Sequence, residues 1–363
     1  MTHKDILTPI NPSLGFGAMR LPDEKETLKM VDAYMDSGYN YFDTAYAYGG
    51  SEEMLKKTLV KRYPRDSFMI TSKLPPWNMK KPEDASGLLK ESLIRSGLDY
   101  FDFYVMHSLS DSSEKHYEDM GIFEWAFEQK KRGLVKHVGF SFHGTTAYLE
   151  RLLTRHAATE FVMLQLNYID ILRGPARQWQ ELAIKHNKPI IAMEPIKGGT
   201  LAHLPDSAEK LLKAYDPNRS IASWAMQYAA SLEGVSCVLS GMSNLAQMQD
   251  NIKTAKNLKP LTEKEYDLLE KVLIETGKKA NIACTACKYC HEHCPQGIDI
   301  AACFTHYNEI KRGSAHWNVS MLYDVMPENN KASNCTKCGA CLPYCPQSLD
   351  IPAGLSLVSK ELE

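Results

Sequence analysis

The sequence lacks several features that would set it apart from ordinary globular proteins. It contains no apolar run of the roughly 18 to 20 residues that a membrane-spanning helix needs. Its 42 basic and 44 acidic residues leave a net charge of −2, so no global field draws the chain to nucleic acid or anionic lipid. Residues 1–13 lack the apolar core of a secretory signal. These absences predict a cytoplasmic protein that binds neither nucleic acid nor a membrane.

Cysteine is almost missing from the first three quarters of the chain. Only Cys237 precedes position 284, whereas the other nine cysteines lie between Cys284 and Cys345. In a reducing compartment, clustered cysteines bind metal more often than they form disulfides. The change in composition predicts two domains, a long one over residues 1–278 and a short one over residues 279–363.

The first domain also lacks the glycine-rich phosphate loop that a doubly wound open sheet usually carries straight after its first strand. Its first apolar run holds only Gly15 and Gly17. Eight such runs alternate with helical patterns, and several are nearly continuous, as in strands that are covered on both faces. This alternation predicts an α/β fold, the (β/α)8 TIM barrel, whose usual size is about 250 residues. The runs span residues 14–19, 39–45, 67–74, 100–107, 135–142, 161–167, 188–195 and 235–242.

Polar residues stand at or near the C-terminal ends of these runs. In TIM barrels the active site lies at that rim, so the polar groups are expected to converge there. A single buried lysine or histidine would indicate only a structural role, but six polar residues are expected together at this rim. They are Asp43, Lys73, His107, Ser141, Gln165 and Asn167.

Four of the surrounding segments resemble the aldo/keto reductase superfamily. They are GFGAMRL at the first strand, FDTAYAYG after the second, TSKL on the third and YVMHS on the fourth. The resemblance covers residues 14–260 and implies a catalytic tetrad of Asp43, Tyr48, Lys73 and His107. Tyr46 is the alternative acid, but only Tyr48 stands five residues after Asp43 and precedes a glycine.

The resemblance implies an NAD(P)-dependent oxidoreductase that reduces an aldehyde or ketone, or oxidises the alcohol in reverse. Hydride addition to a carbonyl produces an alkoxide, which needs a proton. A tyrosine has a reference pKa of about 10, and a nearby ammonium lowers it. Tyr48 is therefore expected to donate the proton, with Lys73 beside it, Asp43 holding Lys73, and His107 positioning the substrate oxygen. A simple buried Asp43–Lys73 ion pair is the structural alternative.

The same resemblance implies a dinucleotide site. The segment GMSNLAQMQDN matches the family's phosphate and adenine motif, and Ser243 is expected to open a helix whose N-terminus suits a phosphate. His143 stands near a frequent Asn, Glu194 replaces a frequent Ser, and the first clear cation after Met242 is Lys253. From the family, NADP is favoured over NAD. The implied cofactor contacts are Gly17, Met19, Ser141, Gln165, Pro195, Gly241, Ser243, Gln247, Asp250 and Asn251.

The cysteine-rich tail carries two copies of the pattern C-x2-C-x2-C-x3-C-P. This spacing is typical of proteins that bind two [4Fe–4S] clusters. Two zinc sites are the alternative, although zinc usually stops at four ligands in paired C-x2-C elements. The candidate ligands are Cys284, Cys287, Cys290 and Cys294 in the first copy and Cys335, Cys338, Cys341 and Cys345 in the second.

The two copies extend beyond their cysteines. CPQGIDI (294–300) and CPQSLDI (345–351) agree at five of seven positions, which indicates an internal duplication. In two-cluster ferredoxins the fourth cysteine of each run serves the other cluster. Cys345 is therefore expected to join the first three cysteines of the first copy, and Cys294 those of the second copy. Helical patterns between the copies predict a mostly helical ferredoxin-like domain.

The remaining cysteines and two histidines have simpler interpretations. Cys237 and Cys303 are expected to be small buried hydrophobes. His291 and His293 lie inside the first motif, but its four cysteines already complete the ligand set. These histidines are therefore expected beside the cluster or at the surface.

A mismatch of electron number leaves two functions open. A nicotinamide passes two electrons as a hydride, whereas each cluster passes one, and no flavin fingerprint stands out to connect them. The favoured function is a carbonyl reductase that acts on a small molecule without using the clusters in turnover. The alternative is an iron–sulfur electron-transfer oxidoreductase with a flavin in the barrel mouth or a ferredoxin-type partner. A non-catalytic binding module is disfavoured by the complete tetrad.

Overall fold

The computed structural model describes residues 14–111, 113–277, 282–312 and 316–363. The N-terminal segment 1–13 and the domain boundary expected between residues 278 and 279 lie outside the described residues.

Eight parallel strands close into a barrel in which each strand pairs with its neighbours in chain order. This confirms the (β/α)8 prediction and excludes the open sheet, because β1 also pairs with β8. The C-terminal ends of all eight strands therefore meet at one rim. The strands are β1 (Gly15–Gly17), β2 (Tyr41–Asp43), β3 (Met69–Leu74), β4 (Phe101–Leu109), β5 (Val135–Phe142), β6 (Phe161–Gln165), β7 (Ile190–Met193) and β8 (Val235–Gly241).

Helices follow the strands in the chain. Gly97 ends α3 with φ of 68°, and the amides of Gly97 and Leu98 bond back to the carbonyls of Ile94 and Leu93. The helices are α1 (Glu24–Asp36), α2 (Ser51–Leu55), α3 (Asp84–Ser96), α4 (Glu114–Asp119), α5 (Ile122–Lys131), α6 (Thr146–Arg155), α7 (Tyr168–Arg173), α8 (Ala176–Lys185), α9 (Asp206–Tyr215), α10 (Ile221–Ala230), α11 (Leu245–Lys256) and α12 (Glu263–Gly277).

The barrel interior is filled by side chains from alternate strand positions, as in other TIM barrels. Tyr41, Phe103, Phe161 and Met163 form its centre, and Cys237 is buried among them with no exposed surface. Burial raises the pKa of the Cys237 thiol well above its usual value. The prediction that Cys237 is a small core residue is thus confirmed.

Contacts divide the chain into two compact units. The first contains residues 1–195 and 223–261, and the second contains residues 196–222 and 262–363. The second unit therefore includes the segment that follows β7 in the chain, with a short 3-10 stretch at Lys197–Ala202. The domain limits 1–278 and 279–363 stay a prediction.

The second unit is mostly helical beyond residue 282, as the sequence predicts. Its core is formed by Cys303, Phe304, Tyr323 and Leu355, and burial raises the pKa of Cys303 to about 12. The helices there are α13 (Ile300–Arg312), α14 (His316–Asp324) and α15 (Ile351–Leu362). Among the residues that the structure describes, no helix is both long and apolar enough to cross a membrane.

Candidate active site

Three members of the predicted tetrad are joined by direct contacts at the C-terminal rim of the barrel. Lys73 on β3 donates from Nζ to Oδ1 of Asp43 at 2.5 Å and to the carbonyl of Thr44 at 2.8 Å. The same nitrogen lies 3.2 Å from the hydroxyl of Tyr48 and 4.5 Å from the centre of its ring. One ammonium group therefore connects a buried carboxylate with a phenol.

The ion pair is almost completely buried, with 1% of Asp43 and 2% of Lys73 exposed. Burial lowers the pKa of Lys73, while the charge of Asp43 opposes that shift. Tyr48 is only half-buried, so its hydroxyl lies between the buried pair and the open rim. A purely structural ion pair needs no phenol at this position, which favours the catalytic interpretation.

His107 on β4 completes the predicted group from the side. Its ring lies edge-on to Tyr48 with centroids 5.8 Å apart, and the indole of Trp77 lies 5.3 Å from it. The backbone of His107 is fixed because Tyr117 donates to its carbonyl oxygen. Burial, and then the nearby charges of Lys73 and His143, hold the pKa of His107 well below its usual range. The imidazole is therefore neutral at physiological pH.

Tyr46 is directed to other partners. Its hydroxyl donates to Oε2 of Glu91 at 2.7 Å, and the guanidinium of Arg95 lies 4.2 Å from its ring centre. Burial, with Glu91 as the next cause, raises the pKa of Tyr46. The geometry thus distinguishes Tyr48 from the alternative acid.

Polar groups from β5 and β6 lie at the same rim. Ser141 accepts a hydrogen bond from the amide of Ser108 at 2.8 Å, directly after the tetrad histidine. Gln165 donates to Asp170 at 2.6 Å, and Asn167 caps α7 by accepting from the amide of Asp170. Burial lowers the pKa of His143 to about 4, although its hydrogen bond to Gln165 opposes the shift. Apart from Asp170, the side chains of this cluster are neutral polar groups.

The expected phosphate end of the site is built from β1, β8 and the start of α11. Gly17 pairs with Gly241 across the barrel seam, and a Cβ at Gly17 would come within 3.2 Å of the carbonyl of Ser240. α11 begins at Leu245 with Asn244 as its N-cap, whereas the sequence predicts that Ser243 opens this helix. Ser243 is exposed between the strand and the helix.

Three backbone amides at the start of α11 already have partners. The amide of Ser243 donates to the side chain of Gln247 at 2.8 Å, and the amide of Gln247 donates to Asn244 at 2.9 Å. The amide of Leu245 donates to Oε1 of Glu26, on α1, at 2.9 Å. That bond and the bond from Lys29 lower the pKa of Glu26, so a carboxylate lies at this helix end.

The other implied cofactor contacts take different positions. Met19 lies two residues beyond β1, and Pro195 is buried two residues beyond β7. Asp250 lies half-buried on α11. Asn251 is buried and donates to the hydroxyl of Ser240 at 2.8 Å, so it holds α11 against β8. The structure thus gives Asn251 a packing contact inside the barrel unit.

Sequence reasoning missed three side chains of the active-site region. Trp77 lies beside His107 and stands on a short 3-10 turn that carries no recognisable pattern. Glu52 is buried on α2, where it accepts from Ser72 at 2.7 Å and from Ser92. Glu26 is an ordinary exposed-face residue of a helix by pattern. Each of these side chains makes contacts with distant parts of the chain, and no local sequence motif predicts such contacts.

The second unit contains two cavities that divide the cysteines of the motifs into two sets. Each cavity has about 300 Å³ of space, part of it open to solvent, and each includes cysteines from both copies of the motif. One is lined by Cys284, Cys287, Cys290 and Cys345, and the other by Cys294, Cys335, Cys338 and Cys341. Around the second set, burial raises the pKa of Cys341 to about 11.

Duplicated residues occupy equivalent places around the two cavities. Gln347 lines one cavity and Gln296 the other, and Thr285 and Thr336 correspond in the same way. Among the described residues, no group of three or more His, Cys, Asp or Glu side chains could hold a single metal ion.

Comparisons with known proteins identify both parts of the chain. A sequence profile of the aldo/keto reductase family matches residues 13–274, which is most of the chain. The chain belongs to the aldo/keto reductase family. A profile of the 4Fe-4S dicluster domain matches residues 283–349, so this aldo/keto reductase carries an iron–sulfur domain after its barrel.

Individual relatives agree with the family. An uncharacterized oxidoreductase, YqkF of Bacillus subtilis, is 26% identical over 292 residues, covering 71% of this chain and 91% of its own length. Methylglyoxal reductase DkgA of Salmonella typhimurium is 32% identical over 158 residues, 42% of this chain and 53% of that protein. The solved aldo-keto reductase of Bacillus halodurans has 26% identity and a TM-score of 0.58, and the match covers 72% of this chain and 91% of that one.

Proposed function

We propose that the barrel reduces the carbonyl of a small aldehyde or ketone with a nicotinamide cofactor, and that Tyr48 donates the proton. The observation that carries this proposal is the position of the Lys73 ammonium, 2.5 Å from Asp43 and 3.2 Å from the Tyr48 hydroxyl. A positive charge beside a phenol stabilises the tyrosinate that remains after proton donation. Asp43 holds the Lys73 ammonium in place. The alkoxide formed by hydride addition therefore meets a Tyr48 hydroxyl whose proton is easier to release.

His107 has a separate task. Its neutral imidazole can donate a hydrogen bond to the substrate oxygen without adding a second mobile proton. The ring is held beside Tyr48 by its buried position and by Trp77. Trp77 also places an apolar surface next to the carbonyl position, which fits a small substrate. Ser141 and Gln165 would hold the carboxamide of a bound dinucleotide, which would supply the hydride.

The choice of nucleotide follows from Glu26. A 2′-phosphate at the start of α11 would meet a carboxylate that already accepts from the Leu245 amide. The negative charges of this phosphate and of Glu26 would repel each other and oppose binding, whereas the free 2′-hydroxyl of NADH can donate to a carboxylate. We therefore favour NADH, although the family resemblance alone favours NADP.

The iron–sulfur domain is proposed to hold two [4Fe–4S] clusters with crossed ligation. The lining of the two cavities supports this, since each takes three cysteines from one motif and the fourth from the other. Zinc is disfavoured, because zinc usually stops at four ligands in paired C-x2-C elements, whereas this domain repeats the pattern C-x2-C-x2-C-x3-C-P. The duplicated residues around both cavities fit two equal groups.

An electron-transfer function remains the second candidate. The dicluster domain supports it, because such domains carry electrons one at a time. It would require a flavin or a ferredoxin-type partner to convert a hydride into single electrons. The tetrad, in contrast, contains every group that carbonyl reduction needs. We therefore propose that the clusters take no part in the hydride step.

Names of relatives suggest the first substrates to test. Methylglyoxal reductase DkgA of Salmonella typhimurium and aldehyde reductase YPR1 of Saccharomyces cerevisiae are both similar to this chain. We propose small aldehydes, methylglyoxal among them, as substrates. The test is the oxidation of NADH by anaerobically purified protein with methylglyoxal and a panel of small aldehydes. An absorption spectrum of the same sample reports clusters and any flavin together.

A further inference from the structure

A buried lysine contacts the lining of one of the two duplicated cavities in the second unit. Lys197 belongs to the segment 196–222 of that unit, is only 5% exposed, and donates from Nζ to Oε1 of Gln347 at 2.8 Å. Gln347 lines the cavity of Cys284, Cys287, Cys290 and Cys345. Gln296 holds the equivalent place at the other cavity, and its side chain is exposed.

The backbone beside Lys197 is fitted to the same cavity. Gly198 has φ of 64°, and a Cβ there would come within 2.7 Å of the Cα of Thr285, which also lines that cavity. Lys197 itself has φ of 45°, a conformation that costs energy for a residue with a side chain. Backbone strain therefore accompanies the placement of this ammonium on Gln347, a side chain that lines one of the two cavities.

We propose that Lys197 raises the reduction potential of the cluster held by Cys284, Cys287, Cys290 and Cys345 above that of its twin. This rests on the crossed ligation proposed above. Reduction adds one negative charge to a cluster, and a fixed, poorly solvated cation stabilises the reduced form. Net charge and solvent exposure are among the factors that set cluster potentials. The two sites, which are built from duplicated motifs, thus become one electron acceptor that fills first and one that fills second.

Lys288 provides the matched control. It lines the same cavity, but it is 61% exposed and pairs with Asp299 at 3.5 Å. Water and the carboxylate screen its charge, so removing it should change the potential much less.

The experiment is an anaerobic redox titration of the full-length protein, with reduced clusters quantified by electron paramagnetic resonance. The wild type should show two separate one-electron waves. Lys197→Met should lower the midpoint potential of the higher wave by about 59 mV. For one electron this is about a tenfold change in the oxidised-to-reduced ratio. The lower wave should stay in place. Lys197→Arg should retain both waves, and Lys288→Met should change them little.

Several results would overturn the proposal. A single wave in wild-type protein that contains both clusters would show that their reduction potentials do not differ. Equal shifts of both waves in Lys197→Met, or a shift in Lys288→Met as large as in Lys197→Met, would remove the role of this lysine. If the Met variant loses iron, Lys197→Gln replaces it, because its amide can still donate to Gln347. Iron content and carbonyl reduction, measured on the same samples, report separately on the cluster and active-site proposals.

Discussion

His293 and Tyr344 stack face to face, with ring centroids 3.3 Å apart and planes within 9° of each other. Each residue directly precedes the fourth cysteine of its motif, so the two positions are equivalent in the duplication. A pseudo-twofold relation between the two copies would pair these two positions, and Cys294 and Cys345, which follow them, line opposite cavities. The stack is therefore consistent with the crossed ligation proposed from the cavity lining. His293 takes the position beside the cysteines that the sequence suggests.

Crossed ligation makes a prediction about a distant substitution. Cys345→Ser should impair the cluster of Cys284, Cys287 and Cys290, although those residues lie far earlier in the chain. Because the two motifs share ligands, the second cluster should also become less stable. Iron content and the resonance spectrum of reduced protein measure both effects. Cys303→Ser, a buried cysteine outside both cavities, should leave the clusters in place. A solved structure with Cys345 and Cys341 on one cluster would refute the assignment.

Removing the carboxylate of Glu26 should change nucleotide preference. In Glu26→Gln the like-charge repulsion disappears, so the dissociation constant of NADPH should fall by about tenfold, while that of NADH changes little. Nucleotide fluorescence titration gives both constants without turnover. Glu24→Gln is the control, since Glu24 lies on the same helix but pairs with Lys57 at 3.0 Å. Tighter binding of NADPH than NADH by the wild type, with no change in Glu26→Gln, would contradict the role of Glu26.

Hydride should not reach the clusters in flavin-free protein. Excess NADH or NADPH under argon should leave the cluster absorbance unchanged, because a two-electron donor has no converter in the proposed arrangement. Dithionite should bleach the same sample. Carbonyl reduction should proceed without ferredoxin. Rapid bleaching by a nicotinamide alone would instead favour the electron-transfer function, and bleaching only after flavin is added would show that a flavin can serve as the converter.

The lowered pKa of His143 predicts a pH dependence of stability. Its pKa is about 4 when folded, against about 6.5 in an unfolded chain. The unfolded state therefore binds a proton first, so the free energy of unfolding should decrease as the pH falls from 6.5 to about 4. His143→Asn should lose this part of the decrease, at most about 3 kcal/mol at 1.36 kcal/mol per pKa unit. Urea unfolding at both ends of that range measures it, with exposed His203→Asn as control. Equal slopes in wild type and His143→Asn would exclude His143 as the source.

The sequence allows the barrel and the main site to be predicted because both rest on local patterns. Strand ends of a parallel barrel share one rim, so Asp43, Lys73 and His107 come together once the strands are recognised. The cysteine spacing reflects the ligand geometry of a cluster in the same local way.

Other residues depend on contacts between distant parts of the chain. Glu26 meets an amide 219 positions away, and Lys197 meets a side chain 150 positions away. A single glutamate on a helix and a single lysine in a loop carry no pattern that indicates such partners. The assignment of the segment 196–222 to the second unit is unpredictable for the same reason.

The central claim is that Tyr48 donates the proton, and a comparison of two tyrosine variants tests it most directly. Tyr48→Phe keeps the ring but removes the hydroxyl that lies 3.2 Å from Lys73, whereas Tyr46→Phe removes the hydroxyl bonded to Glu91. Anaerobic NADH oxidation with a reducible small aldehyde should fall at least about 10²-fold in Tyr48→Phe, with nucleotide binding retained. Tyr46→Phe should stay close to the parent. A parental rate in Tyr48→Phe, or the large loss in Tyr46→Phe instead, would contradict the mechanism.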